Sequence, residues 1–449
     1  MARTTTKQLL ALAVPIFIGG FVQTSYHLVN TFWVGRLGSD AVAVITVNLP
    51  IAMLLMAVAS GLTLASSILV AQRHGANDKA GINATVAQSI VWLGACAVVI
   101  VVVGLLATDS ITRLYSVPET IRQSAADYLS LSFLGAPFIM YCSLYQAVLR
   151  GVGDAKAPML IAIGSVFLNA LLDPLFIFGL SGNFGFPGFS GLGVQGAALA
   201  TLLTQVVTTL LGFKLMFNER YAIATRLSDY LPQWQTAKQL FKLGTPSAIE
   251  QGLQAFTITA TTLIVAPFGA VTLAAYGLVF RLFVMITMPC FALSMAVSIL
   301  VGQSLGARDV KRCQSITAHA SLISVLTMVV VSSVVFIAAK PFLGVFVPTD
   351  AELLAKSVTV LQIGILAFPF IAVQLALCGA LRGAGATFTA LAISVVSAWL
   401  IQIPLTYVLS RQQFFGELGL WWASVIGAAL GAVISIGCYR SFNWQRRLV

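Results

Sequence analysis

Of the fourteen acidic residues in this chain, only Asp173 and Glu250 fall inside long apolar stretches; the others sit in loops or at the edges of apolar runs. Placing a carboxylate within a membrane span costs about 2.5–3.5 kcal/mol on insertion scales, so an acid kept there marks a functional candidate. Asp173 follows Asn169 by four residues, a spacing that puts both on one helical face, and Pro174 next to it loosens the local backbone. A carboxyl and an amide so paired suit proton exchange or coordination of a hard cation. Glu250 lies just past Gly244-Thr245-Pro246, where a cavity role competes with simple placement at an interface. Arg281 is the only base deep in an apolar stretch; substrate contact is one reading, structural pairing the favoured one. His27 stands alone, and packing is the simpler account of it. Gln23, Tyr26, Asn48, Tyr145 and Gln146 are further polar positions suited to lining a cavity. The 28 Phe and 10 Met would give such a cavity adaptable walls, although most must face lipid or packed helices.

Other chemistries lack their residues. The Gly-x-Gly pairs at Gly151 and Gly383 follow an arginine with no strand before them, so they are not nucleotide loops. There is no Walker sequence, nucleophile–base pair or metal-ligand cluster, and the six cysteines show no CxxC spacing. An enzyme is not expected, nor is any cofactor beyond a coupling ion.

The elements that must position these groups are membrane spans. Hydrophobic residues make up 59% of the 449 positions and charged residues 9%, too few charges to coat a soluble domain. At about 20 apolar residues per crossing, twelve spans are expected: 9–34, 43–71, 86–107, 125–149, 158–180, 192–217, 240–266, 273–303, 316–339, 355–380, 387–410 and 418–439. Pro15, Pro50, Pro137, Pro174, Pro289, Pro369 and Pro404 interrupt them. The net charge of +11 does not imply nucleic acid, because the bases occupy short loops. Counted by alternate loops, eighteen Lys and Arg fall on the side of the N-terminus. Only Arg36, Arg113, Arg122, Lys340, Lys356 and Arg411 fall opposite. This bias places both termini in the cytoplasm. The first apolar stretch is too long for a cleaved signal peptide.

The chain repeats itself. Gln8–Pro15 aligns with Gln239–Pro246, and Val70-Ala71-Gln72 with Val301-Gly302-Gln303, at an offset of 231. Leu149-Arg150-Gly151-Val152-Gly153 aligns with Leu381-Arg382-Gly383-Ala384-Gly385, and Pro137-Phe138-Ile139 with Pro369-Phe370-Ile371, at 232. Four matches in order are a duplication. The expectation is an all-α integral membrane protein with two six-helix lobes related by a pseudo-twofold axis. These are 1–217 and 239–449, joined by a cytoplasmic linker at 218–238.

Pro15 with Val29-Asn30-Thr31-Phe32-Trp33-Val34-Gly35, the Val70–Gly75 helix end with its copy at Val301, and the paired Leu-Arg-Gly turns together resemble the multidrug and toxic compound extrusion (MATE) transporters. The resemblance spans the chain. It implies two lobes that export amphipathic, often cationic drugs or toxic metabolites against an inward flow of protons or sodium, in the bacterial inner membrane and as a monomer. Within that family the chain looks closer to the DinF-like than to the NorM branch. The former's Asn-x-x-x-Asp pair matches Asn169 and Asp173, with Thr201 as a further polar member. The NorM pattern's acid in the tenth span falls at Ile371, although Glu250 matches that branch's other acid. The DinF-like pattern also places an acid in the first span, where this chain has Asn30. An amide does not exchange protons. Either coupling runs through Asp173 alone, or Asn30 stands where an aspartate was replaced. The competing functions are a sodium-coupled drug antiporter, a lipid-linked oligosaccharide flippase, for which only Arg281 would supply cationic lining, and a membrane scaffold, which the duplicated proline-broken helices argue against.

Overall fold

The computed structural model describes residues 2–114, 118–179, 191–221, 223–347, 350–411 and 416–444, excluding the side chains of 2–4, 27 and 28. The apolar runs form long helices: α1 Ala2–Gly35, α2 Ser39–Gly75, α3 Lys79–Leu114, α4 Glu119–Gly151, α5 Lys156–Phe178 and α6 Val194–Met216. The second half supplies α7 Trp234–Val265, α8 Ala270–Gly306 and α9 Val310–Gly344. It continues with α10 Ala351–Gly364, α11 Phe368–Gly383, α12 Thr387–Val395, α13 Ile403–Ser410 and α14 Gly416–Arg440. α10 and α11 are one span tightened into a 3₁₀ turn at Ile365–Ala367, just before Pro369. α12 and α13 are one span widened into a π-helical stretch at Val396–Gln402, before Pro404. In each case the proline's missing N–H frees a carbonyl one turn earlier, and the helix re-forms around the gap.

Among the described residues, eleven of these helices are long and apolar enough to cross a membrane. The twelfth expected span is α7, 32 residues long, whose polar start carries Lys238 and Lys242 and whose interior carries Glu250. The fold is thus the all-α, multi-pass architecture expected, with one span less apolar than its neighbours.

The chain divides into two units, Ile18–Ala248 and Met1–Phe17 with Ile249–Val449. The division does not fall in the linker. It passes through α1 and α7, two residues beyond Pro15 and Pro246, which are themselves repeat-mates. The linker stays with the first half because it is hydrogen-bonded there. Asn83 and Ala224 exchange two hydrogen bonds, of 2.8 and 3.2 Å. The Gln88 amide donates to the Asp229 and Leu231 carbonyls at 2.7 Å each and accepts from Gln233 N at 2.9 Å. Tyr221 donates to Asp154 at 2.8 Å, and Arg220 lies 3.4 Å from the same carboxylate.

Within Ile18–Ala248, α4 packs against α2, α3 and α6, and α5 against α6. Within the other unit, α11 packs against α8, α9 and α14. The duplication is legible atom by atom. Asp154 N donates to Leu149 O at 2.9 Å and Ala386 N to Leu381 O at 2.8 Å, closing matched helix ends. Each closure needs a left-handed residue, supplied by Gly153 at φ 100° and Gly385 at φ 76°. The preceding glycine of each turn has a different task. A Cβ on Gly151 would come within 3.0 Å of the Ser67 carbonyl, and one on Gly383 would strike the carbonyl of Ser298, the repeat-mate of Ser67. The Leu-Arg-Gly-x-Gly motif therefore encodes a close helix crossing followed by a tight stop, once in each unit.

Candidate functional site

In the Ile18–Ala248 unit, the i, i+4 spacing does what was expected of it. Asn169 Nδ2 donates to Asp173 Oδ1 at 3.1 Å, and both residues are fully buried, at 0% exposure. The second carboxylate oxygen, Asp173 Oδ2, is buried with no hydrogen-bond partner among the described residues, as is Asn169 Oδ1. No basic side chain pairs with Asp173 among the described residues. Oxygen acceptors left open out of water are costly unless something fills them.

Three further helices close on this pair. Tyr26 of α1 and Tyr128 of α4 lie near enough to Asp173 to feel its charge, and Tyr26 is set against Thr201 of α6. Asn30 is four residues past Tyr26 on α1 and shares its face, and its Oδ1 is another buried acceptor with no partner among the described residues. The α5–α6 contact that carries Thr201 is unusually close: a Cβ on Gly196 would strike the Phe176 carbonyl. Pro174 sits at the centre of this arrangement, leaving the Ala170 carbonyl without its helical donor. The result is a largely buried cluster with one formal negative charge and several oxygens unpartnered among the described residues, suited to a proton or a small hard cation.

The remaining candidates separate. Asn48 is buried on α2 and donates to Val44 O at 2.7 Å, with its own Oδ1 open. Tyr145 is fully buried in a hydrophobic cluster with Leu144 and Val148, and its ring lies where a Cβ on Gly212 would be. A phenol of that size needed a glycine opposite, and packing against it used the whole ring. Gln146 is half-buried and Gln23 exposed, and neither joins the cluster. The His27 side chain lies outside the described residues. Arg281 is exposed on α8 and forms no ion pair among the described residues, so the pairing expected for it is absent.

Glu250, in the other unit, is compensated. Its Oε1 accepts from Arg382 Nη2 and from Ser394 Oγ, both at 2.6 Å. In sequence Arg382 reads as a loop charge and as part of the repeated Leu-Arg-Gly turn, and neither Ser394 nor Tyr128 stands out. A hint was available for Tyr128, a polar residue near the start of the fourth span. The Arg382 pairing joins residues 132 positions apart and left no trace in sequence.

A family model described as MatE matches residues 15–175 and 246–408. The two copies begin at the repeat-mates Pro15 and Pro246. Among curated relatives, the probable multidrug resistance protein YoeA of Bacillus subtilis is 28% identical over 440 residues, covering 97% of this chain and 93% of the relative. The probable multidrug resistance protein NorM of Thermotoga maritima is 24% identical, covering 99% and 94%. A solved MATE structure in a bent conformation superposes with a TM-score of 0.90 at 25% identity, covering 97% of this chain and 95% of that one. A MATE structure in a straight conformation gives 0.88 with the same identity and coverage.

Proposed function

Because the chain belongs to the MatE family, whose members are transporters and not enzymes, we propose that it exports amphipathic or cationic small molecules across the cytoplasmic membrane in exchange for protons. The carrying observation is Asp173: a fully buried carboxyl with one open oxygen and no basic partner among the described residues. An ionised carboxylate so placed is costly without a counter-charge, so a proton or cation accompanies it. Losing or gaining that companion changes the charge at the crossing of α1, α4, α5 and α6, which gives the ion gradient a grip on helix packing. Substrate chemistry follows from the relatives, named as multidrug resistance proteins, and from the apolar lining that the sequence supplies. The loop charge bias supports cytoplasmic termini. Monomeric function in contact with membrane lipid is part of the same reading.

A second coupling ion is favoured by a specific observation. Asn30 Oδ1, Asn169 Oδ1 and Asp173 Oδ2 are all buried and unpartnered among the described residues, and neutral carbonyl oxygens beside one carboxylate are ligands for sodium rather than requirements of a proton. Drug efflux from proteoliposomes under an imposed proton gradient, then under a sodium gradient, separates the two. Proton coupling predicts efflux driven by the first without sodium. Asp173→Asn should abolish driven efflux in either case, and unchanged driven efflux at equal reconstitution would refute the site.

A further inference from the structure

Glu250 is the second acid buried within the spans, and position alone makes it a rival cation site. Its surroundings point elsewhere. Arg382 Nη2 and Ser394 Oγ converge on Oε1 at 2.6 Å, and the side chains of Glu250 and Arg382 are only 10% and 18% exposed. The Cys378 thiol also lies near the pair. Arg382 is also fixed from behind. It precedes Gly383, pressed against the Ser298 carbonyl, and the left-handed Gly385 that closes α11.

The duplication supplies a control. The repeat-mate of Arg382 is Arg150, held by the same turn, and Arg150 forms no ion pair among the described residues. The repeat-mate of Glu250, at the offset of 231, is Gly19. The arginine therefore belongs to the turn and does not require an acid; the acid is what distinguishes this unit. We infer that Arg382 acts as a tethered cation that closes Glu250 to coupling ions and cationic substrates, making it the residue that sets where cations do not bind. A guanidinium already in contact has the advantage of effective concentration over any free cation, and a second positive charge would meet a neutral pair with an arginine facing it. This stands on the Glu250 unit alone and holds whether or not Asp173 couples transport.

The test uses the full-length transporter in detergent, with radiolabelled sodium and tetraphenylphosphonium as probes and thermal melting as the check on folding. Glu250→Gln/Arg382→Gln removes both charges together and should bind both probes as the unmodified chain does. Arg382→Ala alone exposes the carboxylate and should gain about tenfold in affinity for at least one probe, or a second binding component, and Glu250→Gln added to it should cancel the gain. Two results would overturn the inference: a tenfold loss of either probe in the folded double variant, or a folded Arg382→Ala with no gain. Should Arg382→Ala fail to fold, the double variant decides alone. Because Asp173 is untouched throughout, failure here is distinguishable from failure of the coupling site.

Discussion

Two buried carboxyls in one duplicated chain have been given opposite surroundings. Among the described residues, Asp173 has an amide on one oxygen and no partner on the other, with tyrosine and asparagine nearby. Glu250 has a guanidinium and a hydroxyl on the same oxygen. Neither acid is repeated. At the offset of 232 set by the preceding turn, Asp173 falls at Leu405, so the acid stands in one half only. At the same offset Asn169 falls at Ile401, within the π-helical stretch. What the duplication kept is backbone: prolines, close glycine crossings and left-handed stops. What diverged is charge. The lesson is that backbone devices were kept twice while each buried charge was allowed in one place, and an acid's partner, not its depth, decides whether it is free to exchange an ion.

The largest effect expected from this contrast comes from neutralising each acid in turn. Asp173→Asn should reduce gradient-driven efflux to leak, whereas Glu250→Gln/Arg382→Gln should leave it near the unmodified level, read as initial efflux rates from proteoliposomes. Equal losses in the two would erase the distinction. Stability should invert the order. Arg382→Ala breaks a largely buried pair and should cost roughly 3–5 kcal/mol, while Asp173→Asn, which leaves no charge behind, should cost far less; melting of the purified proteins compares them. Asn30→Asp sharpens the comparison from the other direction. A second carboxyl facing the Asp173 cluster should raise the number of protons moved per substrate, measured as a shift in reversal potential, and no shift would place Asn30 outside the exchange site.

Smaller effects test the shared framework. Gly153→Ala and Gly385→Ala force a Cβ into left-handed turns and should each cost about 1–2 kcal/mol, with the similarity of the two losses as the point. The smallest concerns the linker. Burial would raise the Asp154 carboxyl, but hydrogen bonds from Ala157 N, the Tyr221 hydroxyl and Lys156 N, with the Arg220 charge, together hold it below the usual carboxylate range. A depressed carboxyl stabilises the fold above its unfolded value, about 4, and that contribution fades as the pH falls through the lower folded value. Asp154→Asn should therefore flatten the acid side of a melting-versus-pH curve and leave the neutral side merely offset.

The architecture was legible in sequence because its determinants are local or periodic: apolar length, loop charge and repeated Pro and Gly. The Asn169–Asp173 contact was legible for the same reason, since one helical turn fixes it. The partners of Glu250 were not, because α7, α11 and α12 meet only in three dimensions and the arginine carried a plausible topological role. The burial of Tyr145 was not legible either, because a phenol reads as polar in sequence and the glycine it packs against lies 67 positions away, at Gly212. Arg281 was expected to find a partner, yet its stem lets the charge reach the helix surface unpaired. The linker's attachment to the first unit was not legible, because its hydrogen bonds to Asn83 and Gln88 join residues more than 140 positions apart.

The most direct test of the central claim is ion release on substrate binding, followed with a pH indicator in weakly buffered, sodium-free detergent solution. Proton exchange at Asp173 predicts about one proton released per substrate bound by the unmodified chain and none by Asp173→Asn. Equal release from both proteins would contradict it.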